Sequence, residues 1–502
     1  MKNAKRTLAL LLALVMSLSL LAGCGDQNGN TSGGNTASDT PLVVGYAPFS
    51  SKFSPFFSET AYDQDVWVMT QLGLLTSDRT GAIIYKGIEG ETIDYNGTDY
   101  TYYGPADLEV TENADGTVYY DFTLRDDLKF SDGEPLTIDD VIFSMYVLCD
   151  PTYEGNSTLY AQPIQGMEAY RSGMSARQNL ILAAGPDGYS ANDNYTEDQY
   201  NYFWNAFNAA GVKFAQEILD YCVAAGANEE SDSVAAKAAN WGFSLADDAT
   251  VEDFWAAIVE KYGYDLSDDG INAEKASSSI SELLTAELGD RAGEFAAGVQ
   301  TGESAANISG IQKTGDYSMR IVMTKVDAVA IYQLGVTIAP MHYYGDKSLY
   351  DYDNNSFGFP KGDLSSVRAK TTQPMGAGPY KFVKFENGTV YFEANESYFQ
   401  GAPKTKYVNF KECISDDDKL NGVTTGTIDI TDPSMSSDTA EAIAAANSNG
   451  ELTGDKVTTD LVNNLGYGYI GMNAVVMSVG GDPTSQASKD LRKAFGTILS
   501  VY

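Results

Sequence analysis

The stretch from residue 119 to residue 148 constrains the fold most, because it predicts three kinds of local structure in direct succession. Residues 119–124 alternate in the manner of a strand with one buried face. Residues 131–135, SDGEP, have turn chemistry, since Asp accepts hydrogen bonds from the backbone ahead and Gly takes positive φ. Thr137 and Asp140 then form a capping box that starts a helix. A strand, a turn and a helix in one stretch predict a mixed α/β protein.

Six carboxylates crowd this stretch and raise the question of an acid–base site. They are Asp126, Asp127, Asp132, Glu134, Asp139 and Asp140. The turn accounts for Asp132, the capping box accounts for Asp140, and the helix dipole favours Asp139. We therefore interpret these acids as parts of a strand end, a turn and a helix start, and not as a general acid and base.

Two hairpins and a long helical segment dominate the first 307 residues. Asn-Gly at 96–97 and Asp-Gly at 115–116 predict turns within 82–104 and 107–124. Residues 174–307 are rich in Ala and have a helical period. Capping boxes formed by Thr196 with Gln199 and by Thr250 with Asp253 start two of its helices, and a third is expected over about 273–299. Strand patterns then return at 317–323, 378–385, 389–394 and 407–412.

The N-terminus has the layout of an export signal. A basic start, an apolar run and small residues precede Cys24, and the ending LAGC is that of a lipidated leader. We expect residues 1–23 to be removed, Cys24 to carry lipid and residues 24–41 to form a flexible Gly/Ser/Asn tether. The alternative is plain secretion with Cys24 as an incidental thiol. The formal charge of −37 over 502 residues excludes nucleic acid as a partner.

Motifs of catalysis are weak or incomplete. His342 is the single histidine, and neither a GxSxG elbow nor a phosphate-binding GxxxxGK[ST] loop occurs, so we predict no enzyme, metal or cofactor. The GxGxxG pattern at 466–471 lacks a following helix, and the segment 351–363 lacks the Gly and Glu of a calcium loop. The cysteines at 149, 222 and 413 have no CxxC spacing, and we predict no disulfide framework.

Several motifs together resemble one family. The run FTLRDDLKFSDGEPLTIDDVIFS at 122–144 resembles the signature of the family 5 extracellular solute-binding proteins, the peptide- and nickel-binding lipoproteins of ABC importers. Further resemblances follow in the same order along the chain. They are ISGI with GDYSMRIVMTK, APMHYY, GAGPYKF at 376–382, GTIDI at 426–430, GYIGMN, and LRKAFGTILS at 491–500.

The resemblance implies a two-lobed periplasmic-binding-protein-like α/β fold. Lobe one would comprise 42–80 and 308–410, and its extra subdomain 81–307, with 174–307 as a helical insertion. Lobe two would begin at 411 and be incomplete within this chain, because the relatives continue past the Arg-x-Ala helix.

The resemblance also implies binding without chemistry. The protein would capture a solute, most simply an oligopeptide, in a cleft between the lobes and deliver it to an ABC permease. It would sit at the outer face of the bacterial cytoplasmic membrane, or on the periplasmic side of an envelope. Candidate ligand contacts come from the aromatic loop after the first strand and from family position near the hinge. They are Phe49, Phe53, Phe56, Tyr62, Gly376, Tyr380, Tyr469 and Asn473.

Other interpretations stay open. The aromatic loop is as compatible with packing against the first helix as with ligand contact. The 33 Tyr residues suit an oligosaccharide, whereas a single His gives little support to a nickel chelate. A secreted hydrolase would need His342 beside a nucleophile, and a surface interaction protein would use the helical insertion.

Overall fold

The computed structural model describes residues 40–460 and 470–499. Its strands are β1 (Leu42–Tyr46), β2 (Glu91–Tyr95), β3 (Thr98–Tyr102), β4 (Ala106–Glu112), β5 (Val118–Leu124), β6 (Met174–Ala176), β7 (Gly298–Gln300), β8 (Ile311–Gly315), β9 (Ser318–Met323), β10 (Tyr350–Asp351), β11 (Ser356–Phe357), β12 (Tyr380–Glu386), β13 (Thr389–Ala394), β14 (Tyr407–Glu412) and β15 (Ile430–Thr431).

The helices are α1 (Ala61–Val68), α2 (Ile138–Cys149), α3 (Met167–Arg171), α4 (Arg177–Ala184), α5 (Glu197–Ala224), α6 (Val234–Asn240), α7 (Val251–Tyr262), α8 (Ile280–Leu288), α9 (Ala292–Ala296), α10 (Ala330–Leu334), α11 (Met341–Tyr344), α12 (Ser365–Arg368), α13 (Asp416–Thr425), α14 (Ser437–Ala446) and α15 (Gln486–Leu499). Among the residues described, no helix is both long and apolar enough to cross a lipid bilayer.

A five-stranded mixed sheet carries the candidate site. Its order is β12-β13-β14-β1-β15, and β1 runs parallel to both β14 and β15. The β12–β13 hairpin turns at Asn387 and Gly388, which both take positive φ as a two-residue turn requires. Phe53 and Val66, from the segment after β1, cover one face and are fully buried against Val390 and other strand residues. The first strand and the loop after it therefore share one small core.

A four-stranded antiparallel sheet, β4-β5-β9-β8, forms a second unit with helix α2. The strand, turn and helix predicted for 119–148 are confirmed as β5, a turn at Gly133 with φ of 96°, and α2. The predicted capping box is present at the start of α2, where the Asp140 carboxylate accepts the Thr137 N–H at 3.0 Å. Nearly all of α2 is buried, in keeping with its mostly apolar sequence after Asp140.

The carboxylates of this stretch have structural partners. Asp127 pairs with Arg125 at 2.7 Å, and Glu134 pairs with Lys347 at 3.2 Å. Asp139 accepts the Tyr350 hydroxyl at 2.6 Å. The Asp127 pair is local to the stretch, whereas the contacts of Glu134, Asp139, Asp132 and Asp140 join it to residues 341–350.

The helical segment has a core of its own. Helix α5 is 28 residues long, and α7 and α8 pack against it through aromatic and aliphatic side chains. The capping boxes predicted at Thr196 and Thr250 are present. The single helix expected over 273–299 is wrong. Ser279 caps a new helix, α8, which ends at Gly289 with φ of 55°, a conformation that Gly adopts without strain.

The base of this segment and the start of α8 both contact other parts of the chain. The short antiparallel pair β6–β7 closes its base, and there Gly298 N–H donates to the Gly362 carbonyl at 2.6 Å. At the start of α8, the Glu282 carboxylate lies 3.0 Å from Lys52 Nζ, in the loop that follows β1.

The α/β class predicted from the sequence is confirmed by these sheets and helices. The boundary expected at residues 410/411 falls inside β14, and β15 pairs with β1. Cys149, Cys222 and Cys413 are buried free thiols.

Candidate ligand-binding site

The carboxyl ends of three parallel strands meet at one edge of the five-stranded sheet. These ends are Tyr46 of β1, Glu412 of β14 and Thr431 of β15. In open α/β sheets this edge is where ligands bind, because the strand ends leave a crevice between the following loops. We call it the carboxyl edge.

A cluster of charged and phenolic groups occupies the carboxyl edge. Lys419, with only 7% of its side chain exposed, lies 3.1 Å from the Asp432 carboxylate and 3.7 Å from that of Asp416. Desolvation raises the pKa of the Tyr46 hydroxyl, and the neighbouring Asp65 carboxylate raises it further. Partial desolvation also raises the pKa of Asp65, and the charge on Asp432 adds to that shift. Asp416 and Asp432 lie beside the one buried cation and Asp65 lies beside Tyr46, so the carboxylates of this edge outnumber Lys419 and leave it with negative charge.

A buried carboxylate shapes the loop that leaves the carboxyl edge. Asp63 is fully buried and accepts the Ser50 N–H at 3.1 Å and the Lys52 N–H at 3.3 Å, together with the Ser50 hydroxyl. Between these two residues, Ser51 adopts a φ of 65°, which is uncommon for a residue other than Gly. Asp63 thus holds both Ser50 and Lys52, while the neighbouring Phe49 N–H donates to the Glu412 carboxylate at 2.8 Å. Thr60 caps the helix that carries Asp63.

Three of the predicted aromatic contacts gather near Tyr46. Phe49 and Tyr62 are half-buried, with ring centroids 5.8 Å and 6.2 Å from that of Tyr46. Phe53 is fully buried and its centroid lies 5.7 Å from that of Phe49. Phe56 faces another core, edge-on to Tyr344, and is 3% exposed. Phe49 and Tyr62 therefore border the carboxyl edge, Phe53 supports it from inside, and Phe56 belongs to a different core.

The other predicted contacts lie in separate places. Gly376 is buried, and a Cβ there would approach the Thr70 carbonyl to 2.5 Å, so close packing explains this glycine. Tyr380 begins β12 and donates its hydroxyl to the Thr405 carbonyl at 3.0 Å. Asn473 is exposed and its side chain accepts the Val475 N–H at 3.0 Å. Tyr469 and Cys24 lie outside the described residues.

A cleft of about 500 Å³ opens beside β12. One wall is the strand from Lys381 to Phe385, and the other is formed by segment 372–375 with Ser131 and Tyr343. Ser51 and Phe53 of the loop close one end of it. The aromatic pair Phe49–Phe53 stands between this cleft and Tyr46.

The single histidine does not form a hydrolytic pair. His342 Nε2 lies 2.7 Å from the Asp132 carboxylate, and its ring meets Phe130 edge-on. Within residues 40–460 and 470–499, Asp132 is its only side-chain hydrogen-bond partner, so no described hydroxyl or thiol is placed as a nucleophile. The same residues contain no group of three or more His, Cys, Asp or Glu arranged to hold a metal ion.

Sequence reasoning missed the polar members of the carboxyl edge, namely Tyr46, Asp65, Lys419 and Asp432. A usable signal was present: Tyr46 ends an apolar strand, and the Asp at 432 directly follows the strand-like GTIDIT. Polar residues just after buried strands of a parallel sheet are candidates for ligand contact.

Comparison of the sequence with known protein families gives a match over most of the chain. The sequence model described as "Bacterial extracellular solute-binding proteins, family 5 Middle" matches residues 102–499. Among curated proteins, the oligopeptide-binding protein AppA of Bacillus subtilis is 26% identical over 178 residues, which are 35% of this chain and 28% of AppA.

Solved structures give more distant matches. The structure of B. subtilis AppA with a nonapeptide has a TM-score of 0.38 at 16% identity, covering 78% of this chain and 43% of that chain. Lactococcal OppA with an endogenous peptide has a TM-score of 0.40 at 14% identity, and the match covers 78% of this chain and 45% of OppA. NikZ from Campylobacter jejuni with Ni(L-His) has a TM-score of 0.35 at 13% identity, and the match covers 77% of this chain and 42% of NikZ. This chain thus spans less than half the length of each of these relatives.

Proposed function

The chain belongs to the bacterial extracellular solute-binding proteins of family 5, and from this membership we propose that it is the solute-capturing component of an ABC importer. The observation that carries the proposal is the family match over residues 102–499. A protein of this kind binds its solute and passes it unchanged to a permease.

We propose an oligopeptide as the solute. The name of the B. subtilis relative, an oligopeptide-binding protein, supports this ligand class. The carboxyl edge supports it independently, since Asp65, Asp416 and Asp432 outnumber the one buried cation, Lys419. Surplus negative charge favours a ligand that brings a positive group, and the free amino terminus of a peptide is such a group. The ring of Tyr62 offers an apolar and polarisable surface beside that charge.

Binding would act by shifting a conformational equilibrium. A ligand that touches this edge and a second lobe stabilises the closed arrangement by its differential affinity for it. The closed form would then dock on the permease. Lipid on Cys24 would hold the protein at the outer face of the membrane, with residues 25–41 as a tether.

Calorimetric titration of the full chain tests the ligand class. The probes are synthetic peptides of about three to nine residues, each with either a free or an acetylated amino terminus. We expect acetylation to weaken binding roughly tenfold, since it removes a charge-assisted contact. In Asp65→Asn this difference should shrink, whereas Asp268→Asn, an exposed position in the helical segment, should preserve it. A folded chain that binds neither set of peptides would contradict the proposal.

Cell fractionation tests the anchor. The wild type should sediment with membranes, and Cys24→Ala should not be lipidated and should accumulate in the precursor form or in the medium. Cys413→Ala, which alters a buried thiol, is the matched control and should leave the distribution unchanged. Mass spectrometry of the N-terminal peptide separates lipid from an uncleaved leader, and a mature wild-type chain that carries no lipid on Cys24 would refute the lipid anchor.

A further inference from the structure

Strand β12 leaves one of its edges open. It is the outermost strand of the five-stranded sheet and pairs on one side with β13. At its start, Tyr380 N–H donates to the Met69 carbonyl at 3.0 Å. From Lys381 to Phe385, no backbone hydrogen bond from the described chain reaches the other side. Such an edge offers backbone donors and acceptors to another extended segment.

A second wall faces this open edge and limits what can enter. Segment 372–375, with Ser131 and Tyr343, stands opposite the strand and encloses about 500 Å³. A cavity of this size falls in the range that holds a small ligand. Five regular strand residues at about 3.3 Å each would extend roughly 16 Å, and the bulge between Phe382 and Lys384 shortens this span. The cleft therefore has room for one short extended chain and not for a second sheet.

The cleft differs in charge from the rest of the protein. The chain has 69 acidic and 32 basic residues, yet the residues that line this cleft in the described structure include Lys381 and Lys384 and no carboxylate. Lys384 is already engaged, since its ammonium lies 2.5 Å from the Glu386 carboxylate and over the ring of Tyr391. Lys381 makes no ion pair with any described residue. It is the cation available to an anionic ligand.

We propose that this cleft binds an extended peptide segment bearing a carboxylate, which adds to the sheet beside β12 and pairs its carboxylate with Lys381. The free edge supplies main-chain hydrogen bonds, and the apolar side chains of Phe382, Val383 and Met375 cover the segment from both walls. The proposal does not rest on the importer function, because the cleft and the carboxyl edge lie on opposite sides of the Phe49–Phe53 pair.

Edge lysines have a second known use, which is to discourage pairing between two copies of a chain. A lysine with that use needs neither the facing segment 372–375 nor a cleft lining without carboxylates. Self-association through β12 is therefore the competing outcome, and light scattering of the full chain distinguishes it from peptide binding.

Fluorescence anisotropy at low ionic strength tests the proposal with defined probes. The first probe is a labelled, acetylated and amidated pentapeptide, Val-Glu-Val-Glu-Val. The second replaces both Glu by Lys, and the third carries N-methyl groups on all of its backbone amides, so that neither of its edges can donate to the strand. We expect the first to bind, the second to bind at least about tenfold more weakly, and the third to lose binding.

Matched variants locate the interaction. Lys381→Gln should weaken binding of the first probe roughly three- to tenfold, whereas Lys325→Gln, an exposed lysine outside the cleft, should not. Hydrogen exchange should slow at amides within 381–385 when the probe is added. Equal affinity for the Glu and Lys probes, undiminished binding of the methylated probe, no binding, or a dimer that forms in place of the complex would each overturn the proposal.

Discussion

Replacing Asp63 tests how the loop after β1 is held in place. The buried carboxylate accepts two backbone N–H groups, of Ser50 and Lys52, and one hydroxyl. Asp63→Ala leaves all three donors without this acceptor, and a hydrogen bond to a charged group contributes about 1.5–3 kcal/mol. Counting the longer contact at 3.3 Å as weak, we expect a loss of about 3–4 kcal/mol in the local free energy of opening. Asp63→Asn keeps one acceptor oxygen and should lose about half as much.

Hydrogen exchange of the loop amides is the appropriate assay, because a chain with three separate cores need not unfold in one step. A loss of about 3 kcal/mol corresponds to exchange roughly 150-fold faster. Asp268→Ala removes an exposed carboxylate and serves as the control. If the Ser50 and Lys52 amides exchange at wild-type rates in Asp63→Ala, or if Asn is more disruptive than Ala, Asp63 does not hold the loop.

Two further predictions concern the helical segment and its attachment. A Cβ at Gly211 would lie 1.9 Å from the Trp255 ring, so Gly211→Ala should destabilise that core by about 1–3 kcal/mol despite the better helix former. Gly293→Ala, which meets nothing within 4 Å, should be neutral or stabilising in the same thermal melt, and equal effects would refute the packing argument. The Asp150 carboxyl group accepts the Gly362 N–H at 2.8 Å, next to the Gly298–Gly362 contact at the base of the helical segment. Burial raises the pKa of this carboxyl above its ordinary value of 3.8, so the folded state holds its proton where the unfolded chain releases it. The contribution of Asp150 to the free energy of unfolding therefore falls as pH rises from 3.8 through the raised pKa. Asp150→Asn does not titrate, so the difference in free energy of unfolding between the wild type and this variant should narrow across that pH range. A constant or widening difference, measured by urea titration at several pH values, would contradict this prediction.

Local chemistry explains which elements the sequence predicted. Some predicted features depend only on neighbours within a few residues, and these are present in the structure. They are the turn at Gly133, the capping boxes of α2, α5 and α7, and the hairpin turn at Asn96 and Gly97. The expected helix over 273–299 fails for an equally local reason, since a Ser cap and Gly289 divide it. The helical period alone did not show these interruptions.

The candidate site depends on contacts that local patterns do not contain. The charge of Asp432 acts on Tyr46 because β1 pairs with β15. The Thr431 hydroxyl donates to the Gly45 carbonyl across this pair, although the two residues are 386 positions apart in sequence. The aromatic loop was identified by composition, but composition does not say which rings face inward. Phe53 and Phe56 are buried, whereas Phe49 and Tyr62 border the edge.

Native mass spectrometry of the full chain tests the central claim, that this protein binds peptides as a solute-binding protein. After mild unfolding and refolding to remove any carried ligand, a mixture of free-amine peptides should yield one-to-one complexes, and excess unlabelled peptide should displace them. A correctly folded chain that shows only its bare mass at every peptide concentration, or that converts the peptides to fragments, would contradict the account.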